Sequence, residues 1–263
     1  MNQYIDIGIN LMHRSYNADR ENIITAAAAV GVSPLIITGT SLRASETAAA
    51  YASQHKNIYT TAGVHPHDAK NCNNQTIEGL RRLIKQPSVV AVGECGLDYD
   101  RDFSPRDVQR KWFEAQIRLA IEENMPLFLH ERAAFTDFKA LLSENNEVCG
   151  RSVVHCFTGT RDELFAYLDL GCYIGITGWI CDLRRGTDLR NIVKDIPEDR
   201  LMIETDGPFL LPHNLPERVV NRRNEPRFLP YIAMEIATCR GESLEHIAEI
   251  ATANTKRFFG IER

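Results

Sequence analysis

Eight times along this chain a short run of apolar, often β-branched residues ends in a polar tip and gives way to a helical stretch. Such runs read as buried strands, and a parallel strand needs a long crossover, usually a helix, before its neighbour can form. The runs are Tyr4 to Asn10, Leu35 to Thr38, Ile58 to Val64, Val89 to Tyr99, Pro126 to Leu129, Ser152 to Val154, Cys172 to Ile176 and Leu201 to Glu204. Between them, helices are expected at Asp19 to Val30 (stopped by Gly31), Ser41 to Ala52 (Ser41 as cap), Thr76 to Lys85 and onward from Ser104-Pro105-Arg106-Asp107. Val108, Trp112, Ala115 and Leu119 then mark one core-facing stripe, and Arg227 to Thr238 and Ser243 to Phe258 close the chain as helices. This alternation predicts an α/β fold, a (β/α)8 barrel, with a doubly wound open sheet as the alternative.

No internal repeat, low-complexity stretch or linker divides the sequence, so one domain over residues 1–263 is expected. No run approaches the roughly 18 apolar residues of a membrane span, and the start lacks the regions of a secretory signal, which points to the cytoplasm. The seven cysteines are odd in number and contain no C-x-x-C pair, so they read as reduced, mostly buried thiols. With a net charge of −5, the chain offers no global attraction to nucleic acid or an anionic membrane. A polyanion would have to be held by a local basic patch or by bound metal.

The fourth run carries the sharpest chemical demand. Val89-Val-Ala-Val-Gly93-Glu94-Cys-Gly96 sends a buried strand straight into a carboxylate. A desolvated carboxylate needs a cation, a proton or several donors. Other strand tips supply the candidates: His65, His130, His155 and Asp206 each follow an apolar run. In a barrel, the C-terminal strand ends form the active-site face. Glu94, Asp206, His130 and His155 make a mixed nitrogen and oxygen set suited to Zn²⁺, Mn²⁺ or a related divalent ion. Glu94, having two oxygens, could bridge two ions.

Gly63-Val-His65-Pro-His67, Gly93-Glu94-Cys-Gly96-Leu97-Asp98, the strand-end His130, His155-Cys-Phe157-Thr-Gly159, Glu204-Thr-Asp206-Gly-Pro208, Arg222-Arg223-Asn224-Glu225-Pro226 and Asn254 with Arg257-Phe258-Phe259-Gly260 resemble the TatD family of metal-dependent deoxyribonucleases. The resemblance covers essentially the whole chain. It implies a TIM barrel of the metallo-dependent hydrolase type and a divalent-metal phosphodiesterase acting on DNA, most simply an exonuclease on single-stranded or frayed ends. One departure matters. Where relatives carry Asp-x-His-x-His on the first strand, this chain has Asp6-Ile7-Gly8-Ile9-Asn10. By resemblance, Glu94, His130 and His155 hold one ion, while Glu94 and Asp206 are left with a weak second site. Asn10 could offer that site an amide oxygen, which suits Mg²⁺ better than Zn²⁺. Glu131, where many relatives have Cys, is a smaller departure.

The expected chemistry is attack on phosphorus by water acidified by the ion. Asp206 is the candidate base, Glu94 anchors the catalytic ion, and His65 contacts the phosphate or the leaving oxygen. Arg222 and Arg223 are candidates for a backbone phosphate, and Tyr99 and Trp179 for base stacking. His67 and Asp98 are expected to hold loops, and Arg132, Arg161, Arg184 and Arg185 to be surface charges or to extend the groove. DNA is the expected substrate, and neither a membrane nor an obligate protein partner is expected. Two other readings compete: a metal-dependent amidase or lactonase, disfavoured because Glu94 stands where such enzymes often carry a modified lysine, and a metal-binding scaffold without turnover.

Overall fold

The strand register shows first why this sequence folds as it does. In this computed structural model, which describes residues 2–216, 218–219 and 221–261, β1 (Tyr4–Ile9) and β2 (Val32–Ile37) pair in parallel with Tyr4 opposite Val32 and Ile9 opposite Ile37. Then come β3 (Ile58–Ala62), β4 (Val89–Asp98), β5 (Leu127–Arg132), β6 (Ser152–Val154), β7 (Tyr173–Ile176) and β8 (Leu201–Ile203). They form one eight-stranded sheet in chain order, and Ile9 bridges Gly207 just past β8. A doubly wound sheet would scramble that order. The fold is therefore the (β/α)8 barrel that the alternation predicts. Strand residues buried on both faces, such as Ile5, Ile7, Val92, Leu129 and Met202, explain why the runs are continuously apolar.

The described residues cluster into two compact units, one comprising Thr38–His155 with Phe165–Tyr173 and the other Met1–Ile37, Cys156–Leu164 and Ile174–Arg263. The first holds α2 (Leu42–Ala52), α3 (Asn74–Leu83), α4 (Arg106–Glu122) and α5 (Phe135–Glu144). The second holds α1 (Arg20–Ala29), α7 (Thr187–Ile192), α8 (Leu229–Arg240) and α9 (Leu244–Phe259), while α6 (Arg161–Asp169) belongs partly to each. Ser41 caps α2 at the Ala44 amide and Gly31 follows α1 with φ 83°, both as predicted, while Ser243, expected inside the last helix, caps α9 at the His246 amide.

The predicted start of α4 is corrected. The helix begins at Arg106 behind Pro105, and Ser104 makes no cap. Instead the buried Ser104 hydroxyl donates to the His67 carbonyl at 3.0 Å and accepts from the Lys70 amide at 3.1 Å, so it braces the loop after β3. The buried stripe of α4 is also turned from the expected one. Trp112 and Leu119 are buried with Gln109, Phe113, Gln116 and Ile117, whereas Val108 and Ala115 are only half-buried. All seven cysteines are free thiols. Among the described residues no helix is long and apolar enough to cross a membrane.

Candidate active site

β4 reaches Glu94 through backbone that only glycine allows on either side. Gly93 and Gly96 have φ of 140° and 148°, and a Cβ would stand 2.2 Å from the Phe128 carbonyl at the first and 1.8 Å from the His130 carbonyl at the second. This close approach to β5 sets Gly96 opposite His130. The Glu94 amide donates to the Gly39 carbonyl at 2.7 Å, and its carboxylate, 8% exposed, turns inward.

The partner that the buried carboxylate demands is threefold. His155 Nε2 stands 2.8 Å, His130 Nδ1 2.9 Å and His65 Nε2 3.4 Å from the same oxygen, Glu94 Oε1. Burial pushes the Glu94 carboxyl up, but His155, His65 and His130 together outweigh it and hold it well below the usual carboxylate range. Burial depresses the His65 imidazole to about 3, against the pull of Glu94, so that ring is neutral at working pH. Its Nδ1 accepts the His67 amide at 3.1 Å, which places the proton on Nε2. His65 is thus a hydrogen-bond donor aimed into the site.

Asp98, 1% exposed, orients the other rings. Its Oδ2 takes His67 Nε2 at 2.7 Å and lies 3.5 Å from His130 Nε2, while Oδ1 accepts the amides of Asp100 at 3.1 Å and Arg101 at 2.9 Å. Burial raises its carboxyl, but His130, the Arg101 amide and His67 reverse the effect, and the group stays ionised. For His130, burial opposes the charged ring, yet Asp98 and Glu94 raise its pKa overall.

The sequence reading passes over two glutamines. Gln116 Oε1 accepts the Val64 amide at 2.7 Å and its Nε2 donates to the Val64 carbonyl at 3.1 Å, fixing the chain just before His65. Gln109 does the same to Asp98, at 2.8 and 3.1 Å. α4 therefore clamps both loops of the site. A polar residue on the buried stripe of an amphipathic helix was the available signal, since such a group must be satisfied.

These donors fit a divalent ion. Nitrogen and oxygen ligands about 2.0–2.2 Å from an ion stand roughly 3–3.4 Å apart, and the His155 and His130 nitrogens, 2.8 and 2.9 Å from Glu94 Oε1, need to open by only a few tenths of an ångström to reach that spacing. Ligand atoms of His65, Glu94 and His130 lie within 4.8 Å of one another. Asp98 Oδ2 stands 3.5 Å from His130 Nε2, facing it by charge without a hydrogen bond, on the side where a metal-bound imidazole takes an outer partner.

Asp206, Gly8, Asn10, Arg222 and Arg223 lie in the second unit, and Tyr99 and Glu131 in the first. Asp206, with φ 51°, follows β8 and accepts Asn10 Nδ2 at 3.0 Å. Its amide donates to the Gly8 carbonyl and the Asn10 amide to the Gly207 carbonyl, each at 2.8 Å, so Gly8 and Asn10 do occupy the end of β1. Asp6, fully buried, accepts the Thr205 amide at 2.9 Å and the Thr205 hydroxyl. Burial raises the Asp6 carboxyl to about 7 against those bonds. Glu204 accepts the Cys156 amide at 2.6 Å. Arg223 is clamped by Asp19 at 2.7 Å, Glu225 at 2.8 Å and the Ser15 carbonyl at 2.6 Å, which makes it first a brace of its loop. Arg222 makes no ion pair among the described residues. Glu131 turns its carboxylate to the Ala134 amide and the Tyr167 hydroxyl, and Tyr99 binds Asp137 with the Arg106 guanidinium over its ring.

A histidine and carboxylate cluster at the strand ends of a (β/α)8 barrel is the donor set of a candidate divalent-metal site. The solved phosphotriesterase homology protein of Escherichia coli, complexed with phosphate, has this fold, with a TM-score of 0.67 at 14% identity over 98% of each chain. A solved TatD homologue of Escherichia coli K12, YJJV, superposes with a TM-score of 0.89 at 25% identity, again over 98% of each chain. The family model for TatD-related DNases matches residues 5–260, and the chain belongs to that family. It is 46% identical over 256 residues to the Escherichia coli K12 protein named 3′-5′ ssDNA/RNA exonuclease TatD, covering 97% of this chain and 98% of the relative. The Rahnella protein of the same name is 48% identical over 257 residues, with the same coverage.

Proposed function

We propose that this chain is a divalent-metal-dependent exonuclease that removes nucleotides from the 3′ end of single-stranded DNA, with RNA as a second substrate. As a member of the TatD-related DNase family it is a hydrolase of nucleic-acid phosphodiester bonds. The observation that carries the reading is the convergence of three imidazole nitrogens on one oxygen of Glu94. The names of its relatives support the choice of end and of strand.

Glu94, His130 and His155 would hold the ion, with Mg²⁺ or Mn²⁺ in use and Zn²⁺ as the competitor. A divalent ion in such a site polarises a phosphoryl oxygen and lowers the pKa of water. His65, neutral with its proton on Nε2, donates to the phosphate or to the leaving oxygen. Asp98 holds His130 and His67 in orientation from behind. Asp206 follows the last strand, on the face where this fold class does its chemistry, and its carboxylate accepts the proton of the attacking water. Asn10 steadies Asp206 through its amide nitrogen and leaves the amide oxygen for a second, weaker ion or for the substrate. Arg222 meets a backbone phosphate.

The test uses single-stranded oligonucleotides labelled at either end, incubated with Mg²⁺, Mn²⁺ or EDTA. The expected result is a metal-dependent ladder that shortens from the 3′ end. Inertness at high enzyme, with metal bound by elemental analysis, refutes the reading. Shortening from the 5′ end refutes the polarity.

A further inference from the structure

A cleft of about 690 Å³ opens in the second unit, and its wall includes Pro208 and Phe209, two and three residues beyond Asp206. The Phe209 amide donates to the Asp206 carbonyl at 3.0 Å, so the cleft begins where the candidate base ends. Its size suits a ligand of about one or two nucleotides.

Phe209 is 51% exposed, and its ring meets His13 edge-on at 5.7 Å. An apolar ring left half in water and held by a neighbour is a stacking platform that lacks its partner. Trp179 also lines the cleft. Its Nε1 donates to the Arg185 carbonyl at 3.1 Å and the Arg185 guanidinium sits 4.5 Å from its ring centre, which fixes the indole. Gly178 lets the two walls of the cleft approach, since a Cβ there would stand 2.1 Å from the Leu210 carbonyl.

The charge points the same way. Asp182 is the one acid among the described lining residues, and its carboxylate is already bound by Arg185 at 2.6 Å and by the amides of Arg184 and Arg185. Arg218 and Arg222, also in the lining, make no ion pair among the described residues. Among the described lining residues the cleft is therefore locally cationic, in a chain of net charge −5. Two aromatic platforms and two arginines that make no ion pair among the described residues fit a polyanion that carries π-faces.

We infer that this cleft is a tract for single-stranded DNA. It receives nucleotides beside Asp206, stacks bases on Trp179 and Phe209, and draws phosphates to Arg218 and Arg222. This deepens the exonuclease reading and rests on it for the direction in which the strand leaves.

The experiment separates the two. Binding of a 5′-fluorescent oligothymidylate to the full chain is measured by anisotropy in EDTA, where no turnover occurs, for wild type, Phe209→Ala and Arg218→Ala. Phe209→Ala is expected to weaken binding about tenfold. Arg218→Ala should flatten the dependence of log affinity on log salt by about 0.7. With Mn²⁺ present, kcat/KM for the oligonucleotide should fall further in both variants than kcat/KM for thymidine 5′-p-nitrophenyl phosphate, which is too short to fill the tract. Unchanged oligonucleotide affinity in both variants overturns the tract, as does an equal loss on the two substrates. If the variants weaken binding while no form hydrolyses DNA, the tract stands and the exonuclease reading falls.

Discussion

Replacing Asp98 by asparagine tests whether the carboxylate behind the histidines is part of the metal centre. The substitution keeps the volume and leaves Oδ1 for the amides of Asp100 and Arg101. It removes the charge from the side facing His67 Nε2 at 2.7 Å and His130 Nε2 at 3.5 Å, and sets an amide donor against ring donors. In the proposed site that charge, 3.5 Å from His130 Nε2, favours the proton there and would leave Nδ1, 2.9 Å from Glu94, as the lone pair for the ion. A hydrogen bond to a charged group contributes about 1.5–3 kcal/mol, and outer partners of metal-bound histidines typically account for about 10–100-fold in affinity. Because the contact to His130 itself is long, the lower half of that range is expected, about 10–30-fold. The assay is a chelator-competition titration with Mn²⁺ and Zn²⁺, run beside a thermal melt. Unchanged affinity in a variant that still folds would refute the reasoning. Lost turnover at unchanged affinity would move Asp98 from the metal to the substrate.

Three further outcomes follow. Glu94→Gln removes the anion that three imidazoles share; metal binding and turnover should both disappear, and a variant that keeps substantial activity rules out Glu94 as the anchor. Asp6, raised to about 7 in the folded chain from an ordinary 3.8, binds its proton more tightly when folded. Its contribution is fully present below about pH 4 and is lost as pH rises towards 7, so wild type should lose stability relative to Asp6→Asn across that window in denaturant melts; a pH-independent difference counts against the raised value. Gly8→His combined with Asn10→His should increase the metal bound per chain at a given free Mn²⁺ concentration, and unchanged stoichiometry by elemental analysis would mean that the end of β1 does not face a second ion.

The sequence by itself determined the barrel, because eight apolar runs separated by helical stretches leave few ways to bury every strand on both faces. It also determined that Glu94 needs partners, since a buried carboxylate between glycines cannot stand alone, and it named His65, His130 and His155 by their places at strand ends. What only the tertiary structure decided was direction and division of labour. Ser104 reads as a helix cap but spends its hydroxyl on the His67 loop, a choice set by a neighbour 37 residues away. Arg222 and Arg223 look equivalent in sequence, yet one is clamped by Asp19 and Glu225 and the other lines a cleft. Gln109 and Gln116 look like breaks in an apolar stripe until both are found holding the backbone at Asp98 and Val64. His65 could by sequence meet a phosphate or be a loop histidine fixed by Pro66, and only the structure shows its Nδ1 accepting the His67 amide while its Nε2 faces Glu94. Periodicity marks which elements lay a face on the core, although the buried face of α4 is turned from the expected stripe, whereas hydrogen-bond partners depend on packing between elements distant in the chain, and that packing is not written in local pattern.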